Sequence, residues 1–255
     1  LQNIDLISER HIDQVEKDVR ELKKAYPGKV VGASIMGQKK EHWQTLVRRL
    51  EAAGVDFIEC SFSCPHGMPE RGMGSTIGQD SELTERTARW VKEAAARVPI
   101  SIKVTPLVAD LPHIAHAVQK SGADAITAIN TVKCLIGVDI DNFVPYPVVG
   151  GKSSYGGYSG AAIKPISLRC VAEIAKAVDM PISATGGITT WRDAVEFLLC
   201  GARNLQVCTA AMKHGFRIIE DLTDGLSVYL EDKGMSSVEE LVGLALPNIV
   251  EHSHL

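Results

Sequence analysis

The sequence predicts an α/β fold, a (β/α)8 barrel whose last six βα units lie within these 255 residues. Three observations predict it. Strand-forming runs begin near Val30, Val55, Ile100, Ala125, Pro181 and Asn204, and each is followed by residues at helical spacing, a repeating βα unit. The runs read as non-alternating, as strands of a parallel sheet do when both faces are covered. Two long excursions, after the strand beginning at Val55 and from Val132 to Pro165, follow strand C-termini, where barrel enzymes build their sites. A doubly wound sheet is the alternative. Leu1 is not an initiator methionine and a helix opens the chain, so two earlier units are expected upstream of a single barrel domain spanning 1–255.

In order, Ile12, Val15, Val19 and Leu22 recur at helical spacing, and Pro27-Gly28 ends that helix before the buried strand Val30 to Met36. Trp43, Leu46, Val47 and Leu50 mark the next helix, which Gly54 closes. Val55, Phe57 and Ile58 open a strand that runs to Cys64-Pro65, where proline cannot continue a sheet ladder. The stretch to Asp80 holds Gly67, Gly72, Gly74 and Gly78, with Met68 and Met73 flanking Arg71. That composition suits a mobile cover over a site rather than packed structure. Ser81 can cap the helix through Leu83, Trp90, Val91 and Ala94. Pro99 precedes the strand Ile100 to Thr105; Asp110 caps a helix through Leu111, Ile114, Ala115 and Val118, closed by Gly122; Ala125 to Asn130 is the next strand. The Gly-, Pro-, Ser- and Tyr-rich segment 132–165 is too long for a plain connector and reads as functional. Then come a helix through Leu168, Val171, Ala175 and Val178, the strand Pro181 to Thr185, and a helix with the capping box Thr190 and Asp193, stopped by Gly201. Leu205 to Thr209 is the last strand. A long helix through Ile218, Leu222, Leu226 and Tyr229 and a short amphipathic run, Val238 to Leu246, complete the chain.

Composition excludes several function classes. A net charge of −4 and a pI near 6.1 leave no basic footprint for nucleic acid. No apolar run reaches bilayer length and no signal pattern opens the chain, which implies a soluble cytoplasmic protein with no membrane partner. The six cysteines never form a C-x-x-C pair, so neither a zinc nor an iron–sulfur set is legible; most read as small buried hydrophobes.

Cys64 is the exception, in a loop of unusual composition. It reads as a buried hydrophobe, as a general acid, or as a nucleophile with His66 as its only nearby activator; a thiol near its reference pKa of about 8.5 can give and regain a proton. Lys103 lies within an apolar strand and points opposite to its neighbours, inward in a barrel, where it needs an anion or polar partner. A Schiff-base lysine, a cofactor contact and a lysine reaching water are the three readings. Asn130-Thr131 close a strand with an amide and a hydroxyl that can read a heterocycle's donor and acceptor edges, or cap a turn. Gly156 to Gly160, Thr185-Gly186-Gly187 and Cys208-Thr209-Ala210 follow successive late strands and together point to phosphate binding. His113 and His116 share a helix face at a spacing of three without a third ligand; with the tail residues His252 and His254 they read as surface.

The segments SFSCPHGMPERGMGSTIGQD, IKVTP, AINTV, YGGYSGAAIKPISL, ATGGITTWRDAVEFL and LQVCTAAM together resemble the FMN-dependent barrels of dihydropyrimidine dehydrogenases, and more widely dihydroorotate dehydrogenases. The resemblance covers essentially the whole chain. It implies an oxidoreductase acting on the C5–C6 bond of a pyrimidine such as uracil or thymine, with hydride passing through flavin N5 and Cys64 as general acid. Lys103 would contact the flavin ring. Gly160, Thr185, Gly186, Gly187, Cys208 and Thr209 would form the FMN-binding segments, and Ser61, Phe62, Ser63, Asn130 and Thr131 the substrate contacts. It also implies an NAD- and FAD-binding electron-transfer partner in an oligomer, and iron–sulfur clusters in a ferredoxin-like segment outside these residues. Two departures bear on the substrate: the family has asparagine where this chain has Ser61, and another substrate asparagine has no counterpart in Gly37-Gln38-Lys39-Lys40, where Gln38 is the nearest amide.

Overall fold

A computed structural model describes residues 1–4, 8–65, 73–250 and 253. Its elements run, in chain order, β1 (Gln2–Asn3), α1 (Ile12–Ala25), β2 (Gly32–Ile35), α2 (Lys40–Ala53), β3 (Phe57–Ser61), α3 (Ser75–Gly78), α4 (Ser81–Ala94), β4 (Ile100–Lys103), α5 (Leu111–Ser121) and β5 (Ala125–Ala128). The excursion follows with β6 (Val132–Cys134), β7 (Val138–Asp139), β8 (Val144–Pro145) and β9 (Gly156–Tyr158), then α6 (Lys164–Ala177), β10 (Ile182–Thr185), α7 (Trp191–Leu199), β11 (Asn204–Gln206), α8 (Thr209–His214) and α9 (Ile218–Lys233).

Six strands make one wholly parallel sheet in the order β11-β10-β5-β4-β3-β2, each joined to the next by a helical crossover, the arrangement of six consecutive units of a barrel. The excursion is ordered by antiparallel pairing. β9 lies between β6 and β1, with Gly157 opposite both Lys133 and Asn3, and β7 pairs with β8. The tail 238–246 forms two 3-10 turns, not one continuous helix.

The helix ends follow local chemistry. The Asp110 side chain accepts from His113 N at 2.9 Å, and Gly122 adopts φ 82 to end α5. At α4 the cap is Asp80, not Ser81: its carboxylate accepts from Leu83 N at 2.8 Å, and Ser81 is the first helical residue. Asp beats Ser here because the chain is still extended at Asp80.

The expectation of non-alternating strands is corrected. Ile58 and Cys60, Ile100 and Ile102, Ile126 and Ala128, and Ile182 and Ala184 are fully buried in the core beneath the helices, the isoleucines contributing about 1.5–3 kcal/mol each. Between them stand Glu59, Ser61, Ser101, Lys103, Thr127, Ser183 and Thr185, on the opposite face by the period of two. Ser101 Oγ and Thr127 Oγ1 bond at 2.8 Å across that face. The barrel interior is therefore polar, and the strands alternate.

The reading of residues 66–80 as a cover is corrected for its second half. Ser75, Ile77 and Gly78 are buried, Ser75 N donates to the Cys64 carbonyl at 3.1 Å, and Gly78 N donates to the Phe62 carbonyl at 2.9 Å. A Cβ on Gly78 would stand 2.3 Å from that carbonyl oxygen, which is why only glycine fits the return. His66, Gly67, Met68, Arg71 and Gly72 lie outside the described residues, as do His252 and His254. Among the described residues no helix is long and apolar enough to cross a membrane.

Candidate functional site

The strand C-termini open onto two adjoining cavities. The first, of about 460 Å³, is lined by Lys103 from the end of β4, Asn130 and Thr131 beyond β5, Ser159 and Gly160 beyond β9, Thr185 to Thr189 beyond β10, and Gln206 to Ala210 at the end of β11. The second, of about 730 Å³, runs along β2 and the face of α1 that carries Ile12, Val15, Val19 and Leu22, and reaches Ser61 at the end of β3, Cys64 and Pro65 beyond it, and again Asn130 and Thr131. Asn3, Asn130 and Thr131 line both, and the adjacent pair Asn130-Thr131 forms the wall between them.

The segments expected to bind the phosphate meet in the first cavity through Ser159 and Gly160, Thr185 to Gly187, and Cys208 to Ala210, while Gly156, Gly157 and Tyr158 form β9 and do not line it. Gly160 (φ 97), Gly186 (φ 126) and Gly187 (φ 90) hold backbone conformations that a side chain would strain. A Cβ on Gly187 would come within 2.8 Å of the Lys164 backbone nitrogen. The amides of Gly186, Gly187 and Ile188 donate to no acceptor among the described residues. Three successive residues with unengaged N–H groups line this cavity of ligand size, with the hydroxyls of Ser159 and Thr209 paired at 2.9 Å among the other lining residues, a set that could hold a phosphate.

This cradle is braced from behind by Asp193, whose carboxylate accepts from the amides and hydroxyls of Thr189 and Thr190 at 2.8–3.0 Å and from Lys164 Nζ at 2.6 Å. Burial pushes its pKa up, but the hydrogen bonds from Lys164, Thr189 and Thr190 outweigh it and hold the carboxyl well below the usual range. The capping box read from the sequence is thus present, with an added lysine.

Lys103 points inward, as its place in the strand requires, and its partner is Glu59: Nζ donates to Oε1 at 3.2 Å. Glu59 and Gln206 are the residues the sequence reading missed. The signal was the alternation itself, which sets a glutamate at an inward position of an otherwise apolar strand.

Around the second cavity the predicted residues divide. Cys64 lies three residues past the end of β3, not at the strand end, and is buried. Ser61 lines the cavity. Ser63 lines neither; fully buried, it accepts from Asn130 Nδ2 at 3.0 Å. Phe62 is likewise 0% exposed, its ring edge-on to Trp43 with centroids 5.3 Å apart, and it lines neither cavity. Asn130 also donates to Ser61 Oγ at 3.4 Å, and its Oδ1 accepts from Thr131 N at 2.7 Å. Gln38 is exposed and lines neither cavity.

The other candidates fall outside the site. His113 and His116 are exposed, and among the described residues no three metal-ligating side chains cluster. Of the six cysteines, Cys60 and Cys170 lie in the core and Cys200 packs against it, Cys64 is buried beside the second cavity, Cys134 is partly exposed, and Cys208 is exposed in the first cavity.

Comparisons with known proteins agree with one another. Residues 7–230 match the dihydroorotate dehydrogenase family model. The NAD-dependent dihydropyrimidine dehydrogenase subunit PreA of Escherichia coli K12 is 47% identical over 251 residues, covering 97% of this chain and 61% of that protein. The chloroplastic dihydropyrimidine dehydrogenase (NADP(+)) of Arabidopsis thaliana is 40% identical over 261 residues, 100% of this chain and 61% of the relative. The chain therefore spans about three fifths of the length of these relatives. The crystal structure of DHODH in complex with ferulenol from Eimeria tenella superposes with a TM-score of 0.75 at 20% identity, over 91% of this chain and 68% of that one, a likeness of fold alone.

Proposed function

The chain belongs to the dihydroorotate dehydrogenase family, and from that premise we propose that it is the flavin- and substrate-binding part of an FMN-dependent oxidoreductase acting on a C=C bond of a pyrimidine such as uracil or thymine. The observation that carries this reading is the wall Asn130-Thr131, which separates a phosphate-fitting cavity from one lined by a thiol.

FMN, when bound, supplies the hydride chemistry. Gly160, Gly186 and Gly187, with Thr185, Cys208 and Thr209, would hold its phosphate end, and Lys103 and Gln206 its ring. Asn130, Thr131 and Ser61 orient the ring substrate. Cys64 holds a proton on Sγ, gives it to the ring carbon that becomes carbanionic, and recovers one from solvent. The redox partner would be a subunit that oxidises a nicotinamide and relays electrons through flavin and iron–sulfur groups outside these 255 residues. A Schiff-base role for Lys103 is disfavoured because its Nζ, the atom that would attack a carbonyl, is held against Glu59.

The test is a visible absorption spectrum of the intact protein, then anaerobic photoreduction and addition of uracil, thymine and dihydroorotate in turn. Selective reoxidation by one pyrimidine supports the reading and names the substrate. Reduced flavin that ignores all three points to another unsaturated substrate, and absence of flavin overturns the proposal.

A further inference from the structure

The barrel interior holds a buried charge that the reaction above does not use. Glu59 is 7% exposed, and each carboxylate oxygen is engaged. Oε1 accepts from Lys103 Nζ at 3.2 Å and Ser34 Oγ at 3.3 Å; Oε2 accepts from Gln206 Nε2 at 3.0 Å. Gln206 is itself fixed, since Nε2 also donates to Ser183 Oγ at 3.0 Å. Lys103 and Gln206 reach the first cavity, while Glu59 does not line it. Lys103 is the only lysine or arginine among the described residues that line this cavity. A carboxylate that does not line the cavity thus pairs with the cation that does.

We propose that Glu59 is a positioning residue that sets the electrostatics of the cavity floor: by pairing with Lys103 it offsets that cation and holds down the reduction potential of a bound flavin. This rests on the flavin reading. Two-electron reduction of a flavin at neutral pH takes up two electrons and one proton, leaving the ring with one more negative charge. A lysine beside the ring favours that form, and an anion bonded to the lysine opposes it. The pair is partly buried, with side-chain exposures of 19% for Lys103 and 9% for Glu59, so solvent screens it less than a surface pair. Ser34 and Gln206 aim two further donors at the carboxylate, which hold it in place beside Lys103.

The test is Glu59→Gln in the intact protein, because the amide keeps the size and removes only the charge. Flavin content is read by absorbance, and the midpoint potential by dithionite titration against a reference dye. Glu59→Gln should retain flavin and raise the ratio of reduced to oxidised flavin affinity at least tenfold, about 30 mV for this two-electron couple. Lys103→Gln alone leaves the carboxylate unoffset and should lower the ratio, and the double variant, in which the pair carries the same net charge as in wild type, should return it toward the wild-type value. A residue that merely ties β2, β3, β4 and β11 together would lower stability and leave the ratio unchanged, which overturns the proposal while the flavin reading stands. If the wild-type protein takes up no flavin, both fall. Should Glu59→Gln not fold, Glu59→Asp, which draws the carboxylate away from Lys103, carries the same test: a smaller rise supports the proposal and an unchanged ratio overturns it.

Discussion

Asn130 donates its side-chain amide to the Ser63 hydroxyl at 3.0 Å, a bond between the wall of the site and a residue wholly inside the protein. Ser63 lines neither cavity, so under the proposed function its effect on a substrate would pass through Asn130. Ser63→Ala should loosen that amide and raise KM for the ring substrate roughly two- to tenfold, the worth of one hydrogen bond, with flavin content unchanged. Steady-state kinetics beside a flavin spectrum check it.

Cys64→Ala should slow substrate reduction by about 10²–10⁴-fold while leaving flavin bound. Stopped-flow reoxidation of photoreduced flavin by the substrate measures it. Wild-type rates in that variant would remove Cys64 from the chemistry.

Gly187→Ala places a Cβ 2.8 Å from the Lys164 backbone nitrogen at a residue with φ 90. The expected cost is about 1–3 kcal/mol of stability, with weaker flavin retention because the cradle must shift. Thermal unfolding and flavin release on dilution report the two effects separately.

Asp193 makes stability depend on pH with a definite sign. Its folded pKa lies below the ordinary carboxylate value, so the folded state binds fewer protons than the unfolded chain. Its contribution is full above the unfolded pKa of about 3.9 and is lost as pH falls through that value toward the folded one. Tm should therefore drop between about pH 5 and pH 3, and Asp193→Asn should lower Tm at neutral pH and flatten this slope. A parallel decline in wild type and variant would show that other carboxylates carry it.

Much of this was legible in the sequence because it is local. Helix spacing, the Asp110 cap and Thr190 box, and the stops at Gly54 and Gly122 depend on neighbours within one turn. The convergence of Gly160, Thr185 to Gly187 and Cys208-Thr209 was foreseeable once parallel βα units were recognised, since successive strand ends must lie on one rim. Alternation was misread because Ser and Thr count weakly as polar, and with it went Glu59. Gly78 looked like part of a loop because glycine marks both a flexible turn and a close packing contact, and only the Phe62 carbonyl tells them apart.

By itself the sequence determined the parallel βα order, the segments that meet at the rim and the inward direction of Lys103, since these follow from periodicity and chain connectivity. Only the tertiary structure decided which side chains finish one another: Glu59 beneath Lys103, Ser63 behind Asn130, Trp43 against Phe62. Those pairs join residues 44, 67 and 19 positions apart. Their distances are set by the curl of the sheet and the packing of helices on it, which no local pattern encodes.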